Sequence, residues 1–313
     1  MSPIRISILA AAIALASTAA IGAFAADAER AAQAAKSKPM AEILEQSPAA
    51  DWRPLDPENT YYMELPGGRV VFELAPEFAP LHAQNIRTLA REKYFDGLAI
   101  IRAQDNYVVQ WGDPEEDDKK AKPLGSAQPK LASEFTAPLA ADKHFSKLPD
   151  GDVYAPEVGF SNGFPVGHDP KAGQAWLTHC YGAVGVARGT EEGTGTGSSL
   201  YVIISHAPRQ LDRNIAVVGR VVQGMEMLAA MPRGPGPMGF YDKPGQRTPI
   251  ASLRLAADVP AAERSDLEVL RTDSKTFADV TEFRRNRRDD FYIVPAGHVE
   301  LCNVPLPVRA VKR

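Results

Sequence analysis

The stretch from Gly67 to Asp113 constrains the fold more than any other part of the chain. Its first half predicts a strand at Val70–Leu74 and a helix at Ala79–Lys93. A Tyr-Phe-Asp-Gly turn at 94–97 then leads into two short apolar segments, each of strand length. Since the chain also contains 26 prolines and 24 glycines, many turns and short strands are predicted rather than a helical bundle.

The two apolar segments contain a lone arginine and a glutamine eight residues apart. Arg102 ends the run Ile100-Ile101-Arg102, and Gln110 lies within Tyr-Val-Val-Gln-Trp-Gly-Asp at 107–113. This order resembles the start of a cyclophilin-type peptidyl-prolyl isomerase, where a strand, a helix and a Tyr-Asp-Gly turn precede Phe-His-Arg and Phe-Met-x-Gln-Gly-Gly-Asp. The spacing from turn to arginine to glutamine matches that family without a gap.

The second half of the family pattern follows an interruption. Strands are predicted at 182–187, 200–204, 215–222 and 249–255, with a Gly-rich loop at 189–199 and a short helix at Met225–Met231. The resemblance therefore covers about Tyr61 to Leu255. It implies a mainly β fold, namely a cyclophilin-like closed antiparallel β-barrel capped by two helices, with a long loop insertion and a C-terminal extension.

These features divide the chain into four regions. We expect a signal peptide at 1–25, an N-terminal arm or linker at 26–59, a cyclophilin-like domain at 60–256 with its insertion at about 114–177, and an extension at 257–313 that packs on the barrel. The arm and the extension carry further predicted elements, which are helices at Ala28–Lys36, Met40–Leu44, Ser265–Arg271 and Thr276–Arg285, and strands at Phe291–Val294 and Val299–Cys302.

The N-terminus has the pattern of an export signal. Arg5 supplies a positive charge, Ile8–Ile21 is apolar, and Ala23-Phe24-Ala25 forms a small-x-small cleavage site. The apolar run is shorter than the roughly 20 residues that span a bilayer, although an uncleaved anchor is the alternative interpretation. We therefore expect a periplasmic protein without stable membrane insertion after cleavage.

The two cysteines, Cys180 and Cys302, allow two interpretations. In an exported protein they predict a disulfide that closes a loop of about 120 residues. Two separately buried thiols are the other interpretation. A catalytic role for Cys180 is disfavoured because its sequence neighbour His179 would point to the opposite face of a strand.

The resemblance assigns roles to individual residues. Arg102 takes the position of the catalytic arginine, and Gln110 that of the glutamine that hydrogen-bonds the substrate backbone. Five positions correspond to the proline slot and its backbone contacts: Tyr107, Val108, Ala187, Tyr201 and Leu211. Four positions depart from the family residues at the rim: Arg188 replaces asparagine, Ser199 glutamine, Gln210 tryptophan and Ile215 histidine.

Several other functions are not supported by the sequence. The formal net charge of −4 gives no reason to expect a nucleic-acid partner. The six histidines lack metal-ligand spacing, so neither a metal site nor a cofactor is predicted. The resemblance implies isomerisation of X–Pro bonds in exported proteins by a monomer. The alternative is a non-catalytic module that binds proline-containing segments or builds an assembly.

Overall fold

The structure, a computed structural model, describes residues 37–115 and 119–311. The expected signal peptide and the expected helix at Ala28–Lys36 lie outside these residues. Within them, no helix is both long and apolar enough to cross a membrane.

The described residues form mainly short strands. The strands that precede the insertion are β1 Trp52–Pro54, β2 Thr60–Leu65, β3 Gly68–Leu74, β4 Ala99–Ala103 and β5 Val108–Gly112. The insertion contains β6 Ala137–Pro138, β7 Phe145–Lys147, β8 Glu157–Ser161, β9 Phe164–Asp169 and β10 Gln174–Leu177. The remaining strands are β11 Ala183–Val186, β12 Leu200–Ile203, β13 Val217–Gln223, β14 Thr248–Pro249, β15 Ser252–Leu255, β16 Leu267–Leu270 and β17 Val308–Ala310. The helices are α1 Met40–Glu45, α2 Pro80–Arg91, α3 Met225–Ala229 and α4 Lys275–Arg285.

Nine strands curl into one antiparallel sheet with the order β14-β4-β5-β12-β11-β13-β3-β2-β15. The expected closed barrel is wrong, because the end strands β14 and β15 do not pair with each other. Pro249 has no N–H to extend a ladder. The next residue, Ile250, bonds through its N–H to Leu98 at 2.8 Å, and Ala251 bonds to Glu64 at 2.9 Å. The chain thus passes from one edge of the sheet to the other within two residues. Because β14 and β15 form no hydrogen-bonded pair with each other, the barrel is open.

Alternation along the strands fills the interior of this half-barrel. Phe72 and Trp111 are fully buried there, because every second residue of a strand points to the same face. Helix α2 begins with Pro80 in its first turn, where the missing N–H of proline costs no hydrogen bond because the first N–H groups of a helix have no partner within it. The helix adds Ile86 and Leu89 to the same core. Helix α3 adds Leu228.

The insertion was expected to be a long loop, but it contains regular secondary structure. Its strands form a separate five-stranded sheet with the order β6-β10-β9-β8-β7. Its central hairpin turns at Asn162-Gly163, between the paired residues Ser161 and Phe164. Both turn residues have positive φ, 49° and 87°, which is the conformation that an Asn-Gly pair favours in a two-residue hairpin.

The C-terminal extension differs from its predicted elements in three places. The expected helix Ser265–Arg271 contains strand β16, which lies between β1 and β17 in a three-stranded sheet. The expected strand Phe291–Val294 is irregular and mostly exposed, and the expected strand Val299–Cys302 instead runs into a 3₁₀ turn at Leu301–Asn303. Within the extension, α4 confirms the expected helix Thr276–Arg285. Ser274 caps it by accepting a hydrogen bond from the Phe277 N–H at 3.1 Å.

The extension packs chiefly on the insertion and on the N-terminal arm. Phe277 of α4 meets Phe160 of β8 edge-on at 5.0 Å between ring centroids, in a cluster that also contains Trp52 and Trp176. A disulfide between Cys180 and Cys302 ties the extension to the chain just before β11. The sequence left open a disulfide or two separate thiols, and the structure contains the disulfide.

The disulfide joins two cysteines that are 122 residues apart in sequence, so its loss should destabilise the fold. Closing a loop of this size removes conformational freedom from the unfolded chain, and losing such a bond typically costs about 2–5 kcal/mol. We expect Cys180→Ser/Cys302→Ser to lower the free energy of unfolding by that amount in urea titrations under oxidising conditions. Equal midpoints for the wild type and the double variant would show that the bond adds no stability.

Candidate functional site

Arg102 and Gln110 lie opposite each other on the outer face of the half-barrel. They are register partners across β4 and β5, and the Arg102 Nη1 donates to the Gln110 Oε1 at 3.2 Å. A bulge between Ile100 and Arg102 allows the arginine to leave the strand on this face. The pair that the sequence places eight residues apart is therefore in direct contact.

The Arg102 guanidinium is held on several sides. Its Nε donates to the Met238 carbonyl at 2.7 Å, and its Nη2 donates to the Gln104 Oε1. Its Cζ also lies 5.4 Å from the Tyr107 ring centroid and 5.2 Å from that of Phe240, within cation–π range. Partial burial lowers the pKa of Arg102, yet an arginine stays charged near neutral pH.

Three of these supporting residues, Gln104, Met238 and Phe240, were missed by sequence reasoning. Gln104 had a usable signal, since it lies two residues after Arg102 and therefore points to the same face of the strand. Met238 and Phe240 belong to the Gly-Pro-rich loop at 234–240, which is 136 residues away in sequence. Only the fold brings that loop alongside β4, where the Gly234 N–H bonds to the Ala103 carbonyl at 2.9 Å.

A row of residues extends the site across the next two strands. Gln110 faces Tyr201 of β12, and Tyr201 faces Gly185 of β11. Gly185 provides room for the tyrosine, because a Cβ at this position would lie 2.2 Å from the Tyr201 Cζ. The Gln110 Nε2 donates to the Ser199 Oγ at 3.0 Å, so its amide orientation is set from both sides.

The predicted slot residues gather in one apolar cluster on the outer face. Its members from the predicted set are Tyr107, Val108, Ala187, Tyr201 and Ile215. Strands β9 and β10 of the insertion add Phe164, Val166 and Leu177 to the same cluster. As a result Val108 and Tyr201, at 2% and 5% exposure, lie beneath other side chains, whereas Tyr107 and Ile215 remain half-buried.

The Tyr201 hydroxyl belongs to a buried polar chain that the sequence did not reveal. It contacts the His179 Nε2 at 2.9 Å, and the His179 Nδ1 contacts the Asp212 Oδ1 at 2.9 Å. Burial raises the pKa of Tyr201, so the phenol keeps its proton. With the His179 Nδ1 donating to the Asp212 carboxylate, the hydroxyl donates a hydrogen bond to Nε2. Burial alone would raise the pKa of Asp212, but hydrogen bonding to His179 and the charge of Arg209 outweigh burial and lower it.

Gln110 and Phe240, two of the residues that contact Arg102, also line an open cleft of about 950 Å³. Ala187 and Arg188 line it together with Phe240. Arg188 packs over Phe135 at 5.4 Å and donates to the Asn214 carbonyl at 3.1 Å. Leu211 ends a 3₁₀ turn at Arg209–Leu211 and lies outside the apolar cluster, so the structure does not group it with the other slot residues.

The described residues contain no group of three or more His, Cys, Asp or Glu side chains that could hold a metal ion. The polar side chains of the site are instead arranged as hydrogen-bond donors and acceptors around Arg102. Such an arrangement suits binding and orienting an amide.

Replacing Tyr201 with phenylalanine should destabilise the fold, because it leaves the buried His179 Nε2 without a partner. An unsatisfied buried polar group costs about 1–3 kcal/mol. We expect Tyr201→Phe to lower the free energy of unfolding by that amount in urea titrations. Tyr181→Phe, at a residue that is 52% exposed, is the matched control and should change little. Equal effects of the two substitutions would contradict the hydrogen bond.

The sequence of this chain is similar to a known protein family. The model of the cyclophilin type peptidyl-prolyl cis-trans isomerase family matches residues 60–255. A probable peptidyl-prolyl cis-trans isomerase of Brucella suis is 27% identical over 186 residues, which cover 57% of this chain and 74% of the relative. A putative thylakoid lumen peptidyl-prolyl cis-trans isomerase of Synechocystis is 26% identical over 169 residues, covering 50% of this chain and 39% of that protein.

A solved structure shares the fold over a longer region. The crystal structure of a cyclophilin from Hirschia baltica superposes with a TM-score of 0.64 at 23% identity, over 84% of this chain and 95% of the other. This coverage is larger than residues 60–255 alone provide, so the shared fold includes part of the arm or the extension. With a family match over more than half of its length, the chain belongs to the cyclophilin-type peptidyl-prolyl cis-trans isomerase family.

Proposed function

We propose that Arg102 provides the catalysis of X–Pro isomerisation by this member of the family, by donating to the prolyl nitrogen of a twisted amide. The barrier to rotation is about 18–20 kcal/mol because twisting removes amide resonance. A twisted amide has a pyramidal nitrogen with a lone pair that a cationic donor stabilises. A catalyst that binds this state better than either planar form lowers the barrier without a covalent step, a metal or a cofactor.

The observation that carries this proposal is the fixed guanidinium of Arg102. Three of its N–H groups are used to hold it, toward Met238, Gln104 and Gln110. Arginine has five N–H donors, so two remain for a substrate. A donor that is already in place needs no reorganisation during the reaction, which is the condition for electrostatic stabilisation of a transition state.

Gln110 is proposed to orient the substrate backbone. Its Oε1 accepts from Arg102 while its Nε2 donates to Ser199, so the amide cannot flip without losing both contacts. Tyr107, whose ring centroid lies 5.4 Å from the Arg102 Cζ, and Ile215 are half-buried members of the outer apolar cluster. They are proposed to receive the proline ring, since the deeper Val108 and Tyr201 are covered.

We further propose that the substrates are proline-containing segments of exported proteins, handled by a monomer in the periplasm. The apolar N-terminal run and its small-x-small site support export. The disulfide between Cys180 and Cys302 is consistent with an oxidising compartment.

One observation favours a second candidate function. The insertion packs in the same cluster as Val108 and Tyr201, and both residues are buried, which would leave only a shallow slot for a proline ring. A shallow slot would hold a proline loosely and favour a non-catalytic module that binds proline-containing segments. Turnover of a peptide substrate separates the two candidates.

Replacing Arg102 should abolish most of the turnover. We expect Arg102→Ala to reduce kcat/KM for a short X–Pro peptide by about 100-fold or more, as losing one preorganised donor commonly does. Arg102→Lys should recover little, because an ammonium lacks the planar fork that Met238, Gln104 and Gln110 hold. Arg91→Ala, at an exposed arginine of α2 paired with Asp258, is the control. Equal, negligible rates in the wild type and in Arg102→Ala would instead favour the binding module.

Gln104 should act as a positioning residue. We expect Gln104→Ala to lower kcat about tenfold with little change in KM, because it loosens Arg102 without touching the slot. Gln104→Glu keeps an acceptor for the Nη2 and should restore most of kcat. A raised KM with an unchanged kcat in Gln104→Ala would contradict this role. A Gln104→Glu variant whose kcat stays as low as that of Gln104→Ala would also contradict it.

A further inference from the structure

A second cavity, of about 360 Å³, lies where the half-barrel, the insertion and the extension meet. Strand β13 contributes Gly219 and Arg220 to it, and the 301–306 segment of the extension covers it. The Cys180–Cys302 disulfide forms part of its wall. Neither Arg102 nor Gln110 lines this cavity, so it is separate from the isomerase site. Its volume is within the roughly 300–1,000 Å³ of ligand pockets.

Arg220 is the unusual residue of this cavity. It is only 7% exposed, and its Nε is buried without a hydrogen-bond partner. Its strand neighbour Glu73 attracts it electrostatically, but the hydrogen bonds of that carboxylate go to a different arginine. Both Glu73 oxygens accept from Arg53, at 2.7 and 2.8 Å, so one carboxylate faces two arginines.

The Arg220 side chain carries a full positive charge at neutral pH. Burial lowers the pKa of Arg220 to about 10, which still leaves the guanidinium protonated near pH 7. Burying a charge without a paired, hydrogen-bonded partner is unfavourable. An anion that entered the cavity would therefore relieve an existing cost as well as form new hydrogen bonds.

The rest of the lining determines which anion fits. It contains no aspartate or glutamate, and the other charged residue is Arg284. Most of the walls are apolar, including Phe164, Leu177 and Leu306. A phosphate or sulfate would bury its charge against these walls with too few donors. A single carboxylate with a hydrocarbon body matches both parts of the cavity.

We propose that this cavity binds a small aliphatic monocarboxylate, such as a medium-chain fatty acid, with its carboxylate on Arg220. The two Nη groups of Arg220 pair with the carboxylate oxygens, and the hydrocarbon chain lies against the apolar side chains below the extension. Ligand binding at this place would link the extension to the half-barrel in addition to the disulfide.

Calorimetric titration of the disulfide-bonded protein with octanoate tests this assignment, with 1-octanol as the uncharged probe of equal length. We expect one octanoate per chain and an affinity about tenfold or more above that for octanol, as for a charge-assisted hydrogen bond in a buried site. Arg220→Met should weaken octanoate by about tenfold or more and remove the preference for the acid. Arg220→Lys should retain that preference.

Arg271→Met, at an exposed arginine paired with Asp273, makes the same chemical change elsewhere and should leave binding unaltered. Circular dichroism of each variant checks folding. The proposal is overturned if the wild type binds neither octanoate nor its hexanoate and decanoate homologues, if octanol binds as well as octanoate, or if Arg220→Met binds octanoate like the wild type.

Discussion

The pleat of strands β5 and β12 determines where both the core and the site lie. Val109 and Trp111 point into the half-barrel, so Val108 and Gln110 must point out. A shift of one residue in the pairing of these strands would bury the Gln110 amide among aliphatic side chains and expose Trp111. The cost of that exchange fixes the register. The register in turn places Gln110 beside Arg102 on one side and Tyr201 on the other.

The outer face of the sheet is so apolar that exposing it to solvent would be unfavourable. Val108, Tyr201, Ile203 and Val217 form an apolar surface on the outside of the sheet, and the insertion covers it with its own sheet. The extension then covers the insertion through Phe277 and is tied back by the disulfide. The same covering buries Val108 and Tyr201 of the proposed proline slot, so we propose that stability and access to substrate depend on one interface. Arg102 stays outside that interface, at the edge where the loop at 234–240 holds it.

Sequence patterns predicted the parts of the fold that local chemistry specifies. Strand β3, helix α2 and strand β12 lie within about two residues of their expected bounds, because alternation, a leading proline and turn residues act locally. The hairpin β8–β9 was missed although its Asn162-Gly163 pair is a local signal. Strand β16 could not be recognised from its own residues, because it exists through its pairing with β1 and β17, more than 200 and about 40 residues away.

The candidate site divides in the same way. The family resemblance singled out Arg102, Gln110, Tyr107 and Tyr201, because the order and spacing from turn to arginine to glutamine match the family pattern without a gap. The contacts that fix Arg102, from Met238 and Phe240, come from a distant loop that no local pattern connects to β4. The pairing of Tyr201 with His179 was likewise invisible, since their contact depends on how the insertion returns the chain to β11.

In our proposal, catalysis depends on a fixed Arg102 guanidinium that donates to the prolyl nitrogen. The first measurement to make is a crystal structure of the protein with a bound Ala-Pro-containing peptide. We expect an Arg102 Nη within about 3.2 Å of the prolyl nitrogen, the proline ring against Tyr107 and Ile215, and the contacts to Met238 and Gln104 retained. A proline bound elsewhere, or an Arg102 that turns away from it, would show that this arginine is not the donor.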